Sequence, residues 1–352
     1  MRFALTDEQR QFGAAVHDLL SDADVPGAAR AWAAGDHAPG VAIWRALAKS
    51  GVTGLAVPES CGGLGAHPVD LVVACEELGR HPVPGPVAES IAAVPALLAA
   101  LPASKTEGQI REWLTGLADG DLIGSIALPP AVPYALDGDM AGLVLHADLD
   151  QDEAAMTIRQ AAAGVRYESA DRARRLVRAE PGQPVATGPA AAAAARRTVS
   201  YGTLASAALL LGAGRGMLEA TTRHAKTREQ FGRPIGSFQA VKHALADVLI
   251  GLEFARPLLY AAAIALGASA PTAARDISAA RVACADAAQG AARVALQVHG
   301  AIGYTLECDV SLWLAKVRSL SSNWGSQAEH RAAVLTALTS HALTGEQTGA
   351  WS

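Results

Sequence analysis

Thr227-Arg228-Glu229-Gln230-Phe231-Gly232-Arg233-Pro234-Ile235-Gly236-Ser237-Phe238-Gln239 is the segment from which the rest of the chain can be read. Before it, Tyr201 to Lys226 is an Ala/Leu-rich run without proline, which favours helix. Gly232, Pro234 and Gly236 cannot continue that helix, so the chain must turn. After it, Val241, Leu245, Val248, Leu252, Ala255 and Leu259 recur at helical spacing. The segment is therefore the corner of a helical hairpin. Arg228, Arg233, Gln230, Gln239 and two phenylalanines suit it to hold an anion beside an aromatic or heterocyclic ring. A solvated arginine complementing a helix C-terminus is the other reading that these residues allow.

Composition narrows the class. The 352 residues are 51% hydrophobic, much of it alanine, the texture of packed helices. A net charge of −5, spread along the chain, points to neither nucleic acid nor an anionic membrane surface. Cys61, Cys75, Cys284 and Cys308 show no metal spacing and no paired framework, which suits a reducing compartment. The first ten residues carry no apolar signal core, and the longest apolar runs, residues 91–103, which proline interrupts, and 204–213, fall short of the ~20 residues a membrane span needs. These features predict a soluble cytoplasmic protein.

In chain order, Thr6 or Asp7 can cap a first helix with Phe12, Val16, Leu19 and Leu20 on its apolar face. A second helix is expected over 41–49, ended by Gly51, and a third over 68–78 after the loop Gly62-Gly63-Leu64-Gly65. From about 119 to 188 short apolar or alternating runs at 122–128, 142–147, 155–158 and 175–178 predict the strands of a small β domain. The alanine run 190–195 leads into the C-terminal helices, and Pro271 and Thr272 open a further helix that stops at Gly300.

The corner resembles the signature Arg-x-Gln-Phe-Gly-x-Pro-Ile-x-x-Phe-Gln of the acyl-CoA dehydrogenase family. Val57-Pro58-Glu59-Ser60-Cys61-Gly62-Gly63-Leu64-Gly65 with Glu76-Glu77-Leu78-Gly79-Arg80 resembles that family's N-terminal helical domain. Gln297-Val298-His299-Gly300-Ala301-Ile302-Gly303-Tyr304 resembles its Gln-x-x-Gly-Gly-x-Gly-Tyr loop. The resemblance covers nearly the whole chain. It implies a mainly α protein with a small β domain: an N-terminal helical domain over 1–117, a reduced middle domain over 118–188 and a C-terminal four-helix bundle over 189–352. It also implies FAD as cofactor, gripped by Arg228, Gln230, Phe231, Ile235, Phe238, Gln239, Gln297, Val298, Gly300 and Ala301 on behalf of a neighbouring subunit whose flavin they complete. Ala301 stands where the family has a second glycine, which requires a negative φ. Glu76, Glu77 and His299 are read as structural.

Two family features are missing. The middle domain has Leu128-Pro129-Pro130-Ala131-Val132-Pro133 near the place of a Thr-Glu-Pro-x-x-Gly-Ser-Asp-like flavin-contacting segment, and there is no tryptophan between Trp113 and Trp313. The family's usual glutamate base falls at Trp324, and the position used by a minority of members falls near Gly267. No catalytic residue is therefore assigned in this chain. The pattern resembles the non-catalytic subunit of heteromeric, steroid-degradation-type acyl-CoA dehydrogenases. It implies a catalytic partner subunit in a heterotetramer, an acyl-CoA thioester as substrate and electron-transfer flavoprotein as redox partner. Two alternatives stay open: a self-sufficient homo-oligomer using an unrecognised carboxylate such as Asp247, Glu253 or Glu329, and a flavin-free scaffold subunit.

Overall fold

A computed structural model describes residues 5–102 and 106–345. Met1 to Ala4 and Ala103, which entered the readings of the N-terminus and of the first apolar run, lie outside the described residues. Six helices come first: α1 (Asp7–Asp22), α2 (Val25–Ala33), α3 (Ala38–Lys49), α4 (Pro68–Arg80), α5 (Val94–Ala99) and α6 (Glu107–Asp119). Thr6 caps α1 through a reciprocal capping box with Gln9, which satisfies donors that a helix start otherwise leaves open. A turn of π-helix, Glu89–Ala93, runs directly into α5. Every residue from 86 to 98 is buried, so the first part of the apolar run, 91–98, is core.

The sheet follows, with strands β1 (Gly124–Ala127), β2 (Ala135–Leu136), β3 (Leu143–His146), β4 (Thr157–Tyr167) and β5 (Leu176–Thr187). Their spatial order is β1-β3-β4-β5-β2, with β1 and β3 parallel and the other pairs antiparallel. Strands β4 and β5 run well beyond the short segments predicted for them. Their added residues are largely exposed and rich in Ala and Gly, and Pro181 and Pro184 interrupt β5, so no apolar alternation marks their length. They exist because they pair with each other, through a register that shifts at three places.

Five long helices complete the chain: α7 (Pro189–Thr227), α8 (Gln239–Gly267), α9 (Ala273–His299), α10 (Val310–Leu320) and α11 (Gln327–Gly345). Helix α7 starts twelve residues earlier than the predicted Tyr201, because the alanine run is its first turns, with Ala191, Ala192, Ala194 and Ala195 buried. It packs against α4, α8 and α9 and forms the spine of the molecule. Helix α8 corrects the estimate from apolar runs: at 29 residues, with an 18-residue window of mean hydropathy 1.6, it is long and apolar enough to cross a membrane by length and composition. Pro257, Glu253 and Arg256 break up its sequence, but Val248, Leu252, Ala255 and Leu259 pack into the bundle core.

Candidate functional site

The corner between α7 and α8 is a two-residue hairpin of β6 (Glu229–Gln230) and β7 (Arg233–Pro234), pairing Glu229 with Pro234 and Gln230 with Arg233. Its two central residues, Phe231 at φ 53° and Gly232 at φ 75°, are both left-handed, the conformation that a two-residue hairpin of this hand demands. Glycine adopts it freely, whereas for phenylalanine it costs about 1–2 kcal/mol. The side chain so placed is 91% exposed, touching Phe238 edge-on at 6.2 Å between ring centroids. The Arg233 guanidinium lies over the Phe238 ring at 4.2 Å. Arg228 and Gln230 are exposed, Ile235 and Phe238 half-buried, and Gln239 opens α8, whose start has no side-chain cap.

The second motif lies at the end of α9. Gly300 takes φ 64° and ψ −143°, a region reserved for glycine, and an added Cβ there would meet nothing within 4 Å. Gln297 and Ala301 are exposed and Val298 half-buried. Ala301 is not among the left-handed residues, so the backbone condition for replacing glycine is met. The two motifs meet through histidines: His224 in the last turn of α7 stacks on His299 at the end of α9, with centroids 4.2 Å apart and planes inclined by 24°. Burial, then His299 and Arg228, hold His224 below the usual imidazole range. His299 Nδ1 donates to the Ala295 carbonyl at 2.8 Å. The outcome is an open rim with arginines, amide side chains, an exposed aromatic ring and a bare glycine backbone. Such a surface fits an extended anion with a stacking ring, as a dinucleotide presents.

The position at which the sequence resemblance puts the family's glutamate is built quite differently. Trp324, in the connection between α10 and α11, is 1% exposed and sits in a core cluster with Val57, Val94, Leu97, Leu128 and Ala194. Its Nε1 donates to Glu89 Oε1 at 3.0 Å, and Asn323 Nδ2 donates to the same oxygen at 3.0 Å. A Cβ on Gly202, in the middle of α7, would stand 2.4 Å from the indole ring. A glycine inside a helix costs about 1 kcal/mol relative to alanine, and the ring is its reason here. The Gly325 N–H donates to Ala131 at 3.3 Å, which binds this connection to the 128–133 turn. Buried Arg281 donates to the carbonyls of Leu320 at 2.6 Å and Asn323 at 3.1 Å, and burial pulls its guanidinium down to about 10, still cationic at neutral pH. His330 Nε2 donates to the Trp324 carbonyl at 2.8 Å.

The other carboxylates considered from sequence serve structure. Exposed Glu253 pairs with Arg256, with two contacts of 2.9 Å. Glu329 accepts from the Ser326 N–H at 2.6 Å while Ser326 Oγ accepts from the Glu329 N–H, and these bonds hold its carboxyl below the usual range. Asp247 is exposed. At Gly267 an added Cβ would fall 2.2 Å from His67 Nε2, so a side chain there would require the imidazole to move. Glu76, buried in α4, accepts from Arg215 at 2.6 Å, Arg256 at 3.2 Å and the Tyr260 hydroxyl at 3.1 Å, tying α4 to α7 and α8. Reading the sequence missed Glu89, Gly202 and Arg281. All three lie far along the chain from Trp324, and nothing in their neighbouring residues advertises the contact.

Comparison with known proteins bears on this arrangement. The family model for the acyl-CoA dehydrogenase N-terminal domain matches residues 6–121, and that for the C-terminal domain matches residues 192–339. The acyl-CoA dehydrogenase IpdE2 of Mycobacterium tuberculosis is 34% identical over 313 residues, 88% of this chain and 91% of that one. Among solved structures, the ChsE4-ChsE5 complex from Mycobacterium tuberculosis superposes with a TM-score of 0.80 at 22% identity, covering 96% of this chain and 99% of the other. A variant of the Tcur3481-Tcur3483 steroid ACAD superposes with a TM-score of 0.81 at 24% identity, with coverages of 96% and 99%. These two likenesses concern the fold.

Proposed function

Because the chain belongs to the acyl-CoA dehydrogenase family, whose cofactor is FAD, we propose that it is the partner chain of a heteromeric enzyme, completing an FAD site whose catalytic carboxylate another subunit supplies. The observation that carries this reading is the buried Trp324. The position that aligns with the family's base holds a buried indole, bonded to Glu89 and packed on Gly202, in place of a carboxylate side chain. The rim, by contrast, keeps its phosphate-facing residues on the outer surface, where a neighbouring chain can reach them.

In this reading Arg228 neutralises pyrophosphate charge, Gln230, Gln239 and Gln297 donate amide hydrogen bonds, and the backbone at Gly300 and Ala301 closes on the phosphates. Phe231, Ile235, Phe238 and Val298 supply apolar contact. Bound FAD supplies the hydride acceptor for α,β-dehydrogenation of an acyl-CoA thioester. Charge-assisted contacts of the Arg228 kind contribute about 1.5–3 kcal/mol each. A steroid-derived acyl group is the substrate class we favour, because the similarly folded Tcur3481-Tcur3483 protein is a steroid ACAD. Electron-transfer flavoprotein is the redox partner we assign, on the family resemblance alone.

The test is co-expression with candidate catalytic subunits. Flavin content and turnover are expected only in the complex, with both reduced by Arg228→Ala. Full flavin loading and turnover by this chain alone would overturn the proposal, and loss of turnover with flavin still bound in Glu253→Gln or Glu329→Gln would then identify the base. Unchanged flavin in the Arg228→Ala complex would leave the chain a scaffold.

A further inference from the structure

Away from the dinucleotide rim, three side chains with metal-binding atoms converge between α1 and α4. Glu77 and His81, four residues apart at the C-terminal end of α4, share one face, and His17 of α1 faces them. His81 Nε2 stands 2.9 Å from His17 Nδ1, which stands 3.3 Å from Glu77 Oε2, and the three ligand atoms all lie within 4.8 Å of one another. A tetrahedral zinc ion with bonds of about 2.0–2.1 Å sets its ligands roughly 3.3 Å apart, so small rotations bring this trio onto one ion. At 2.9 Å the two imidazole nitrogens share one N–H···N hydrogen bond, whose proton a cation bound by both would displace.

Two further observations point the same way. His17 Nε2, the nitrogen turned away from the cluster, lies 3.4 Å from Ser21 Oγ, a partner of the kind that fixes the tautomer and ring orientation of a ligating histidine. A cavity of about 390 Å³, lined by His17, His81, Arg80, Glu219 and Asp309, opens beside the trio and leaves a coordination position for water. Arg80 also touches Glu77, at 3.2 Å, but is anchored independently on Glu219 at 2.8 Å, so it can cede the Glu77 oxygen to an ion.

We propose that His17, Glu77 and His81 form a binding site for a borderline divalent transition-metal ion, Zn²⁺ foremost, that clips α1 to α4 with one position open to the cavity. Two imidazoles and one carboxylate are a ligand set for such ions and a poor one for Mg²⁺ or Ca²⁺, which take oxygen ligands. Because the ligands come from two separate helices, binding stabilises their packing.

The purified full-length chain, stripped with chelator, is titrated with ZnCl₂ against a chromophoric competitor and with CoCl₂ to record d–d absorption. One equivalent of Zn²⁺, a low-symmetry Co²⁺ spectrum and a raised melting temperature are expected. His17→Gln and His81→Gln should abolish the site, and exposed Ser21→Ala, which leaves all three ligands in place, should weaken it about tenfold. His243→Gln, on the exposed face of α8, should change nothing. No stoichiometric binding by the parent chain, or affinity retained in both ligand variants, would overturn the assignment. If a ligand variant fails to fold, Ser21→Ala decides: parent-level affinity there counts against the site.

Discussion

The dinucleotide rim and the sealed pocket around Trp324 are built on the same C-terminal helices, yet to opposite rules. The rim is open: Phe231 is 91% exposed in a strained left-handed conformation, and Gly300 presents bare backbone. The pocket is closed: Trp324 is 1% exposed, with its N–H satisfied, its ring seated against a helical glycine, its carbonyl held by His330 and the preceding Asn323 carbonyl held by Arg281. An open surface carrying strain makes sense where another molecule completes it. Trp324, at φ 58°, carries the same left-handed strain, but its ring is buried and its N–H bonded, so it contributes to folding instead. The contrast teaches that one helical scaffold can carry a buried, bonded aromatic core element and, a few turns away, an exposed strained corner whose side chains make few contacts within the chain.

Experiments can break that contrast, and the largest effect belongs to the pocket. Trp324→Ala should destabilise the chain by about 3–5 kcal/mol, from the cavity it leaves and the donor it removes from Glu89, measured by denaturant unfolding. A change within 0.5 kcal/mol would mean that the indole is not a core element. Next, Arg228→Ala should leave the folding of the isolated chain unaltered but weaken flavin retention by the complex roughly 10- to 100-fold, the equivalent of about 1.5–3 kcal/mol.

A pH series sharpens the same distinction. Burial, followed by the neighbouring Arg281 charge, holds His330 below the usual imidazole range although its bond to the Trp324 carbonyl pulls upward. The unfolded chain therefore takes up this proton near pH 6.5 and the folded chain only at lower pH, so stability is full above pH 6.5 and declines as pH falls through the folded value. His330→Gln should flatten this part of the profile, and an unchanged slope in urea unfolding between pH 7 and 5 would refute it. The smallest effect is expected for Phe231→Ala. An exposed ring should change stability by no more than about 0.5 kcal/mol, and relief of the left-handed strain gives no large gain because alanine is strained there too. Its consequence should appear in flavin binding by the complex; an unaltered flavin affinity would remove Phe231 from the rim.

Much of the architecture was legible in the sequence because helices and tight turns are announced locally. The break at Gly232, Pro234 and Gly236 located the hairpin, and the apolar spacing of Leu252, Ala255 and Leu259 located the buried face of α8. Helix α6 was legible too: Ile110, Leu114, Leu117 and Ala118 recur at helical spacing and are its buried residues, though the sequence reading passed over them. The far halves of β4 and β5 were not, because exposed strands whose partners are each other carry no apolar alternation.

What the sequence by itself determined is the family, the hairpin corner, the glycine turn at Gly300 and the replacement of a carboxylate by Trp324. Each depends on the identity of a residue or on the handful of neighbours around it. Only the tertiary structure decided that the tryptophan is sealed rather than merely substituted. Glu89, Gly202 and Arg281 are separated from it by 235, 122 and 43 positions along the chain, and such distant partners are selected by packing and by the need to satisfy buried polar atoms, which leave no periodic trace in a single sequence.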